Sequence, residues 1–329
     1  MDRENEKDHE KSTDDMRVHA EVLSALRKLT HLKSLTDDDY TATRQGGLTN
    51  LVFKIEFKGS RRSEPSLIVR LAGSGTEDYI DRTVEDYNAR VAARAGVSAD
   101  VYYTNPESGV MVSRCIPDIV TMSPELFSTR RGSVARAGEA LRKLHSAKEP
   151  FEFRFELFSM IEEYLGILST KDIELPDGYH DIVQRAQPVK QALADNPVTL
   201  APCHCDPLCE NFLDDGSIMW IVDWEYSGMN DPYWDLGDLA VEGNFNASQT
   251  LELVRAYCGD KPKQSEMARV TIYKAMCDLL WTLWGLIQHA DKNPADDFWS
   301  YSIGRFERCK ALMLSAEFDE CLEAVAHSG

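Results

Sequence analysis

Nine residues, CHCDPLCEN at positions 203–211, carry most of the information about what kind of protein this chain forms. They include three cysteines, a histidine and an aspartate, and they end in an asparagine. A zinc site, a catalytic thiol and a loop for phosphoryl transfer could each use these residue types. The first has little support because no distant Cys-x-x-Cys or His-x-x-x-His pair completes a zinc site. The catalytic thiol also has little support, because nothing in the sequence indicates which histidine would activate it.

The third interpretation sets the cysteines aside and keeps His204, Asp206 and Asn211, with the asparagine five residues after the aspartate. Phosphoryl transfer needs a carboxylate that orients the attacking hydroxyl and accepts its proton, and an amide that holds the metal of the nucleotide. The apolar stretch SIMWIVDWE then brings Asp223, twelve residues after Asn211, as a second magnesium ligand. The short motif alone arises often by chance, so the support comes from the order of all three features.

Outward from this loop, the chain separates into a sheet-forming part and a helical part. Alternating patterns at 48–57 and 66–73 predict antiparallel strands, and two shorter strands surround the turn NPESG. Helices are predicted over 16–29 and over 77–95, the second ended by Gly96. Helical patterns dominate from residue 116, apart from 198–232. We therefore predict a disordered tail at 1–15, a small sheet-plus-helix lobe at 16–115 and a larger helical lobe at 116–329.

The composition limits the classes of partner. The 329 residues have a formal net charge of −19, which argues against a nucleic-acid or anionic-membrane surface, although acidity often serves only solubility. Eight cysteines scattered through apolar pattern indicate a reducing compartment. We see neither a targeting segment nor a run of 18 apolar residues, so we expect a cytoplasmic protein without integral membrane association.

Two quoted segments, HCDPLCENFL (204–213) and IVDWEYSGMNDPYWDLGDLAVEGNF (221–245), resemble the choline/ethanolamine kinase family. This family belongs to the aminoglycoside-phosphotransferase-like branch of the protein-kinase-like fold, and the resemblance covers roughly 40–310. It implies an α+β, bilobal protein-kinase-like fold with a small antiparallel-sheet N-lobe and a larger, mostly helical C-lobe. Family members commonly have Asn at the position of Cys205 and Pro at that of Cys209; neither is a metal ligand or base there.

The N-lobe would bind the nucleotide. The segment RQGGLTNLVFKIEF (44–57) places small residues where a backbone can approach phosphates, although a Gly-Gly pair is more often only a hairpin turn. Arg70 stands where protein kinases have the strand lysine that pairs with the phosphates, and the resemblance implies Glu85 as its partner. A solvated acidic helix face is the alternative for Glu85. The resemblance also implies adenine binding by the main chain of a hinge. The candidates for nucleotide binding are Gly46, Gly47, Thr49, Asn50, Arg70, Glu85, Arg114, Cys115 and Ile116.

The C-lobe would hold the acceptor substrate. Trp281 and Trp284 lie three apart on a predicted helix, and such a pair is more often only core. The family has a Trp-x-x-Trp pair in its choline pocket, and Tyr301 and Glu242 match an aromatic residue and a carboxylate of that pocket. Aromatic faces and nearby carboxylates are what a quaternary ammonium, which donates no hydrogen bonds, requires.

The sequence therefore predicts transfer of the γ-phosphoryl group of ATP to choline or ethanolamine. Asp206 would be the base, Asn211 and Asp223 would hold Mg²⁺, and His204 would brace the loop through backbone contacts. The alternatives are a kinase for thiamine, another amino alcohol or an aminoglycoside, and a non-catalytic nucleotide-binding pseudokinase. No nucleic-acid partner is expected, and a homodimer stays open.

Overall fold

The computed structural model of the chain describes residues 16–45, 50–73 and 80–327. Two compact units are present. The first consists of Met1–Arg94 with Ser98–Asp118, and the second of Ala95–Val97 with Ile119–Gly329. The first contains an antiparallel sheet and the second is mostly helical, so the predicted α+β class is confirmed.

The first unit is built around a five-stranded antiparallel sheet in the order β1-β2-β3-β5-β4. Its strands are β1 (Tyr40–Arg44), β2 (Leu51–Phe57), β3 (Leu67–Leu71), β4 (Val101–Asn105) and β5 (Val110–Arg114). Its helices are α1, over residues 16–26, and α2 (Arg82–Ala95).

The core of the first unit follows from the alternation in its strands. Ile55, Val69 and Val112 are buried on neighbouring strands, and Leu26 of α1 packs in the same cluster. Because successive side chains of a strand point to opposite faces, this alternation gives the sheet one apolar face. Strand β1, with the polar sequence YTATR, was not predicted; its hydrogen-bonding partner is β2.

Helix α2 differs from its prediction in two respects. It begins at Arg82, not 77, because the side chain of Asp81 accepts bonds from the N–H groups of Thr83 and Val84. Residues 77–79 lie outside the described range. The buried face is centred on Glu85 and Ala89, so the sequence-based idea of a solvated acidic face at Glu85 is wrong.

The second unit contains two small antiparallel sheets, in the orders β6-β8-β9 and β10-β7. The strands are β6 (Val120–Thr121), β7 (Ala201–Cys203), β8 (Phe212–Asp214), β9 (Met219–Ile221) and β10 (Gly228–Asn230). Residues 204–211 connect β7 to β8, and β9 leads directly to Asp223.

Ten helices make up most of the described part of the second unit. In chain order they are α3 (Pro124–Thr129), α4 (Ser133–His145), α5 (Leu157–Leu168), α6 (Tyr179–Arg185), α7 (Gln187–Asp195), α8 (Tyr233–Glu242), α9 (Ala247–Cys258), α10 (Gln264–Ala290), α11 (Phe298–Met313) and α12 (Ala316–Ala326).

Helix α10 is the centre of the second unit. It packs against α5, α8, α11 and α12, and most of its residues are buried in one apolar core. By length and hydropathy its 27 residues could cross a membrane, but 78% of the apolar window is buried in the structure. At the contact with α8, Gly237 lets the two backbones approach closely, because a Cβ there would lie 2.9 Å from the carbonyl oxygen of Val270.

Candidate active site

The loop between β7 and β8 is held by one buried carboxylate, Asp235, in the first turn of α8. Its two oxygens accept the backbone N–H groups of His204 at 2.7 Å and of Cys205 at 2.9 Å. The indole of Trp234 donates to the carbonyl oxygen of Cys205 at 3.0 Å. Consecutive backbone groups of the loop are therefore fixed immediately before Asp206.

Asp235 is itself braced from behind. Nε2 of His145, at the end of α4, lies 2.9 Å from Asp235 Oδ2, and its Nδ1 lies 2.9 Å from the hydroxyl of Tyr257 on α9. Both His145 and Asp235 are buried. This chain of bonds connects three helices of the second unit to the loop.

His204 has the bracing position that the sequence analysis proposed. Its side chain is fully buried, Nε2 is 2.9 Å from the carbonyl oxygen of Val222, and the ring packs 5.0 Å from that of Trp224. Burial lowers the pKa of His204, which favours the neutral ring. The side chain thus links the loop to the segment that carries Asp223.

Asp206, Asn211 and Asp223 are connected through the main chain. The side-chain nitrogen of Asn211 donates to the carbonyl oxygen of Asp206 at 3.1 Å. The side-chain oxygen of Asn211 is therefore the atom that can bind a hard cation. The N–H of Val222 donates to the carbonyl oxygen of Asn211 at 3.0 Å, directly before Asp223. Amide and carboxylate oxygens suit Mg²⁺, so the residues present fit this ion.

The three cysteines of the loop are structural. Among the residues described, Cys203, Cys205 and Cys209 do not form a group of ligands close enough to share one metal ion. All three are buried, and burial raises their pKa values far above the ordinary 9.0, so they stay protonated. Among the described residues, a zinc site built from these three cysteines and a catalytic thiol therefore have no structural support.

Cys205 also has an unusual backbone. Its φ of 68° lies in the left-handed region, which is unfavourable for most side chains and is adopted more readily by Asn. The departure from the Asn that resembling proteins commonly have therefore places a less suitable residue at a strained position.

Aromatic rings from α10 and α11 interlock in the second unit. Trp284 contacts Trp281 at 6.4 Å, Tyr301 at 6.0 Å and Phe298 at 5.6 Å between ring centres, each edge to face. Tyr226, shortly after Asp223, approaches Trp281 at 5.6 Å. We call Trp281, Trp284, Phe298 and Tyr301 the aromatic cluster. Two predicted tryptophans and the predicted tyrosine are thus brought together.

An ion-pair chain adjoins this cluster. Arg305 on α11 bonds Glu242 at the end of α8 and donates to Asp278 on α10 at 3.0 Å. Arg308, one turn further, bonds the same Asp278 at 2.7 Å. The guanidinium carbon of Arg305 lies 4.7 Å from the centre of the Tyr301 ring. The predicted carboxylate Glu242 is therefore already paired with a cation of the protein.

The charges of Glu242 and Arg305 act on Asp206 of the catalytic loop. Burial and the negative charge of Glu242 raise the pKa of Asp206 and the charge of Arg305 lowers it, which together give a pKa of about 7. Asp238, one turn before Glu242, accepts from the indole of Trp281 at 3.1 Å, and burial raises its pKa well above 3.8. A carboxylate that titrates near neutrality is suited to general-base catalysis.

The first unit contains the predicted ion pair of Arg70 and Glu85. Both guanidinium nitrogens of Arg70 bond the two carboxylate oxygens, the longer contact being 2.8 Å, and Arg82 adds a bond of 2.8 Å. Burial alone would raise the pKa of Glu85, but the two arginines outweigh it and lower the pKa. The sequence analysis missed Arg82, although its spacing of three residues from Glu85 is a recognised helical pair.

The other nucleotide candidates are less well supported. Gly46, Gly47 and Thr49 lie outside the described residues. Asn50 is buried and accepts from the N–H of Gly73, so it braces the sheet. The N–H groups of Arg114 and Cys115 donate to the carbonyl oxygens of Asp100 and Ser66, so only their carbonyl groups can serve an adenine.

The sequence analysis also missed Asp235, Asp238 and Arg305. Asp235 and Asp238 lie within the quoted segment PYWDLGDLA, and two acids three residues apart in an apolar helix are a signal of buried function. Arg305 follows Tyr301 by four residues, on the same face of α11. Both signals were visible in the sequence.

Comparisons with known proteins give a consistent result. The profile of the choline/ethanolamine kinase family matches residues 42–266. A solved structure of a choline/ethanolamine kinase family protein from Mesorhizobium loti is 56% identical, covers 92% of this chain and 98% of that one, and has a TM-score of 0.82. Choline kinase LicA from Streptococcus pneumoniae is 25% identical over 86% of this chain and 96% of that chain, with a TM-score of 0.70.

A probable ethanolamine kinase from Arabidopsis thaliana is 24% identical in an alignment 310 residues long that covers 84% of this chain and 80% of the relative. The structural likenesses confirm the bilobal protein-kinase-like fold that the sequence predicted.

Proposed function

The chain belongs to the choline/ethanolamine kinase family and is an ATP-dependent kinase that acts on an alcohol, and we propose that its preferred acceptor is choline. The observation that carries this proposal is the position of Asp206. It lies close enough to Glu242 and Arg305 for their charges to act on it, and those residues adjoin the aromatic cluster. A base and a site for an organic cation are thus neighbours within one unit.

Asp206 orients the hydroxyl of the acceptor and accepts its proton as the oxygen attacks the γ-phosphorus. Its position is supported by the two bonds that Asp235 accepts from the preceding backbone N–H groups and by the bond that the side-chain amide of Asn211 donates to the carbonyl oxygen of Asp206. Because the loop is fixed before the substrate arrives, little further ordering is required in the transition state.

Asn211 and Asp223 would hold Mg²⁺ through an amide and a carboxylate oxygen. When bound, the ion neutralises charge on the phosphates. His204 keeps the two segments together through Val222. In the first unit, Arg70 neutralises phosphate charge and Glu85 holds its guanidinium in place, supported by the paired contacts between them.

Two features favour choline over ethanolamine. A quaternary ammonium donates no hydrogen bonds and is bound through aromatic faces, which the aromatic cluster provides. A primary ammonium has three N–H donors and needs carboxylate oxygens, but Glu242 is already neutralised by Arg305. The same arrangement disfavours an aminoglycoside, whose several ammonium groups require a site lined mainly by carboxylates.

We further propose that residues 16–115 act as the nucleotide-binding lobe and 116–329 as the lobe with catalytic loop and acceptor site. The whole protein would act in the cytoplasm on a small cationic alcohol. The buried, protonated thiols support a reducing environment.

Turnover of ATP with magnesium tests the proposal, using choline, ethanolamine, thiamine and kanamycin as acceptors. We expect choline to have the highest kcat/KM. Asp206→Asn should lower kcat by at least about a thousandfold while nucleotide affinity changes less than about twofold. Glu210→Gln, which neutralises an exposed acid of the same loop, is the matched control and should retain full turnover.

Turnover that no acceptor stimulates would leave a nucleotide-binding pseudokinase as the better description. Strong residual turnover in Asp206→Asn would show that another group is the base.

A further inference from the structure

Arg305 contacts residues of three helices around the aromatic cluster. It is 3% exposed, and it bonds Glu242 on α8 and Asp278 on α10 while stacking on Tyr301 of its own helix. Asp278 accepts a bond from Nη1 of Arg305, and Glu242 accepts one from Nη2. The contacts with Glu242 and Tyr301 reach two of the residues that the proposed function places around the acceptor.

The first of these contacts changes the charge of the site. Glu242 is largely buried, with its side chain 16% exposed, so a bare carboxylate there would act strongly on a nearby cation. The bond from Arg305 neutralises most of that charge and occupies one of its oxygens. A primary ammonium, which must exchange its water for carboxylate oxygens, loses its best partner. A quaternary ammonium loses less, because it makes no hydrogen bonds to the carboxylate and keeps its contacts with the ring faces.

The second contact fixes the ring. The guanidinium lies 4.7 Å from the centre of Tyr301, whose ring meets Trp284 at 6.0 Å. A planar guanidinium in this stack restricts the rotation of the tyrosine and so holds one wall of the aromatic cluster.

We propose that Arg305 is the positioning residue that gives the acceptor site its preference for a quaternary over a primary ammonium, by neutralising Glu242 and holding Tyr301. This inference rests on the proposed function, because it presumes that Glu242 and Tyr301 contact the acceptor.

The chain offers a matched control in Arg308. Its side chain bonds the same Asp278 but, among the described contacts, neither Glu242 nor Tyr301, and it is 56% exposed. The test compares Arg305→Gln, Arg305→Lys and Arg308→Gln by the ratio of kcat/KM for choline to kcat/KM for ethanolamine, by the KM for ATP, and by the melting temperature.

For Arg305→Gln we expect this ratio to fall at least about tenfold, because the KM for choline rises and that for ethanolamine falls, with the KM for ATP unchanged within about twofold. Arg305→Lys retains the charge and should recover most of the ratio, although its KM for choline stays about threefold raised because lysine cannot stack or bond as a fork. Arg308→Gln should lower the melting temperature and leave the ratio unchanged.

The inference is overturned if Arg305→Gln retains the wild-type ratio, or if Arg308→Gln shifts it equally. If Arg305→Gln does not fold, a choline KM in Arg305→Lys equal to the wild-type value overturns it. Failure of the proposed function is distinguishable, because the wild-type protein itself would then show no preference for choline.

Discussion

Replacement of Asp235 by Asn should separate the positioning of the catalytic loop from its chemistry. The carboxylate accepts backbone N–H groups of His204 and Cys205 at 2.7 and 2.9 Å and contacts His145 at 2.9 Å. The side-chain amide of asparagine keeps one acceptor oxygen but turns its NH₂ group toward one of these two backbone N–H donors. Hydrogen bonds to a charged group contribute about 1.5–3 kcal/mol each, so losing one and leaving a buried donor unpaired should cost about 3 kcal/mol.

For a unit of this size, such a loss corresponds to a fall in melting temperature of about 6–12 °C. Asp206 directly follows the backbone that the substitution would release. A displacement of its carboxylate by about 1 Å should lower the rate about a hundredfold. The assay is kcat at saturating ATP and choline, measured well below the lower melting temperature, together with a thermal melt.

Asp231→Asn provides the comparison, because Asp231 is a buried acid just before the same helix that bonds Arg269 and Tyr273 instead of the loop. It should lose similar stability and retain kcat within about threefold. Full turnover in Asp235→Asn, or an equal loss of kcat in Asp231→Asn, would refute the assignment of Asp235 as the residue that positions the loop.

Two further predictions concern stability. Gly237→Ala would place a Cβ 2.7 Å from that of Tyr273 on α10, so we expect a loss of at least about 1–3 kcal/mol in thermal melts; an unchanged melting temperature would contradict the close packing of α8 and α10. Burial alone would raise the pKa of Asp214, but bonds from Arg136 and Arg130 hold this pKa below 3.8. The ionised carboxylate therefore stabilises the fold above pH 3.8, and this stabilisation is lost as the pH falls through the lowered pKa. The free energy of unfolding of wild type should therefore exceed that of Asp214→Asn by a constant amount near neutrality, and the difference should shrink below about pH 4; urea titrations in which it stayed constant would contradict this.

The sequence was sufficient where a local pattern and the tertiary environment agree. Strands β2 and β3 were predicted within a few residues because their alternation matches a sheet with one apolar face. Strand β1 was missed because its polar residues gain strand geometry only from pairing with β2. Helix α2 was predicted to begin too early. Its first turn is set by the Asp81 side chain, which accepts a backbone N–H of the helix, and this side-chain geometry is not specified by the hydrophobic pattern.

The candidate site shows the same division. The spacing of Asp206, Asn211 and Asp223 is a property of one continuous segment and was readable directly. The pairing of Arg305 with Glu242 spans 63 residues, and the support of the loop by Asp235 spans 31, so neither produces a local pattern. Such contacts depend on how α8, α10 and α11 pack, which no short motif specifies.

The buried cysteines give the molecule internal reporters of motion. A thiol enclosed in the native core reacts with an alkylating reagent only when its surroundings open. Cys205 lies within the loop and Cys203 directly before it, whereas Cys309 lies far along the chain on α11. Labelling rates at these natural positions would therefore measure how often the loop opens independently of the helical core, without introducing any foreign probe.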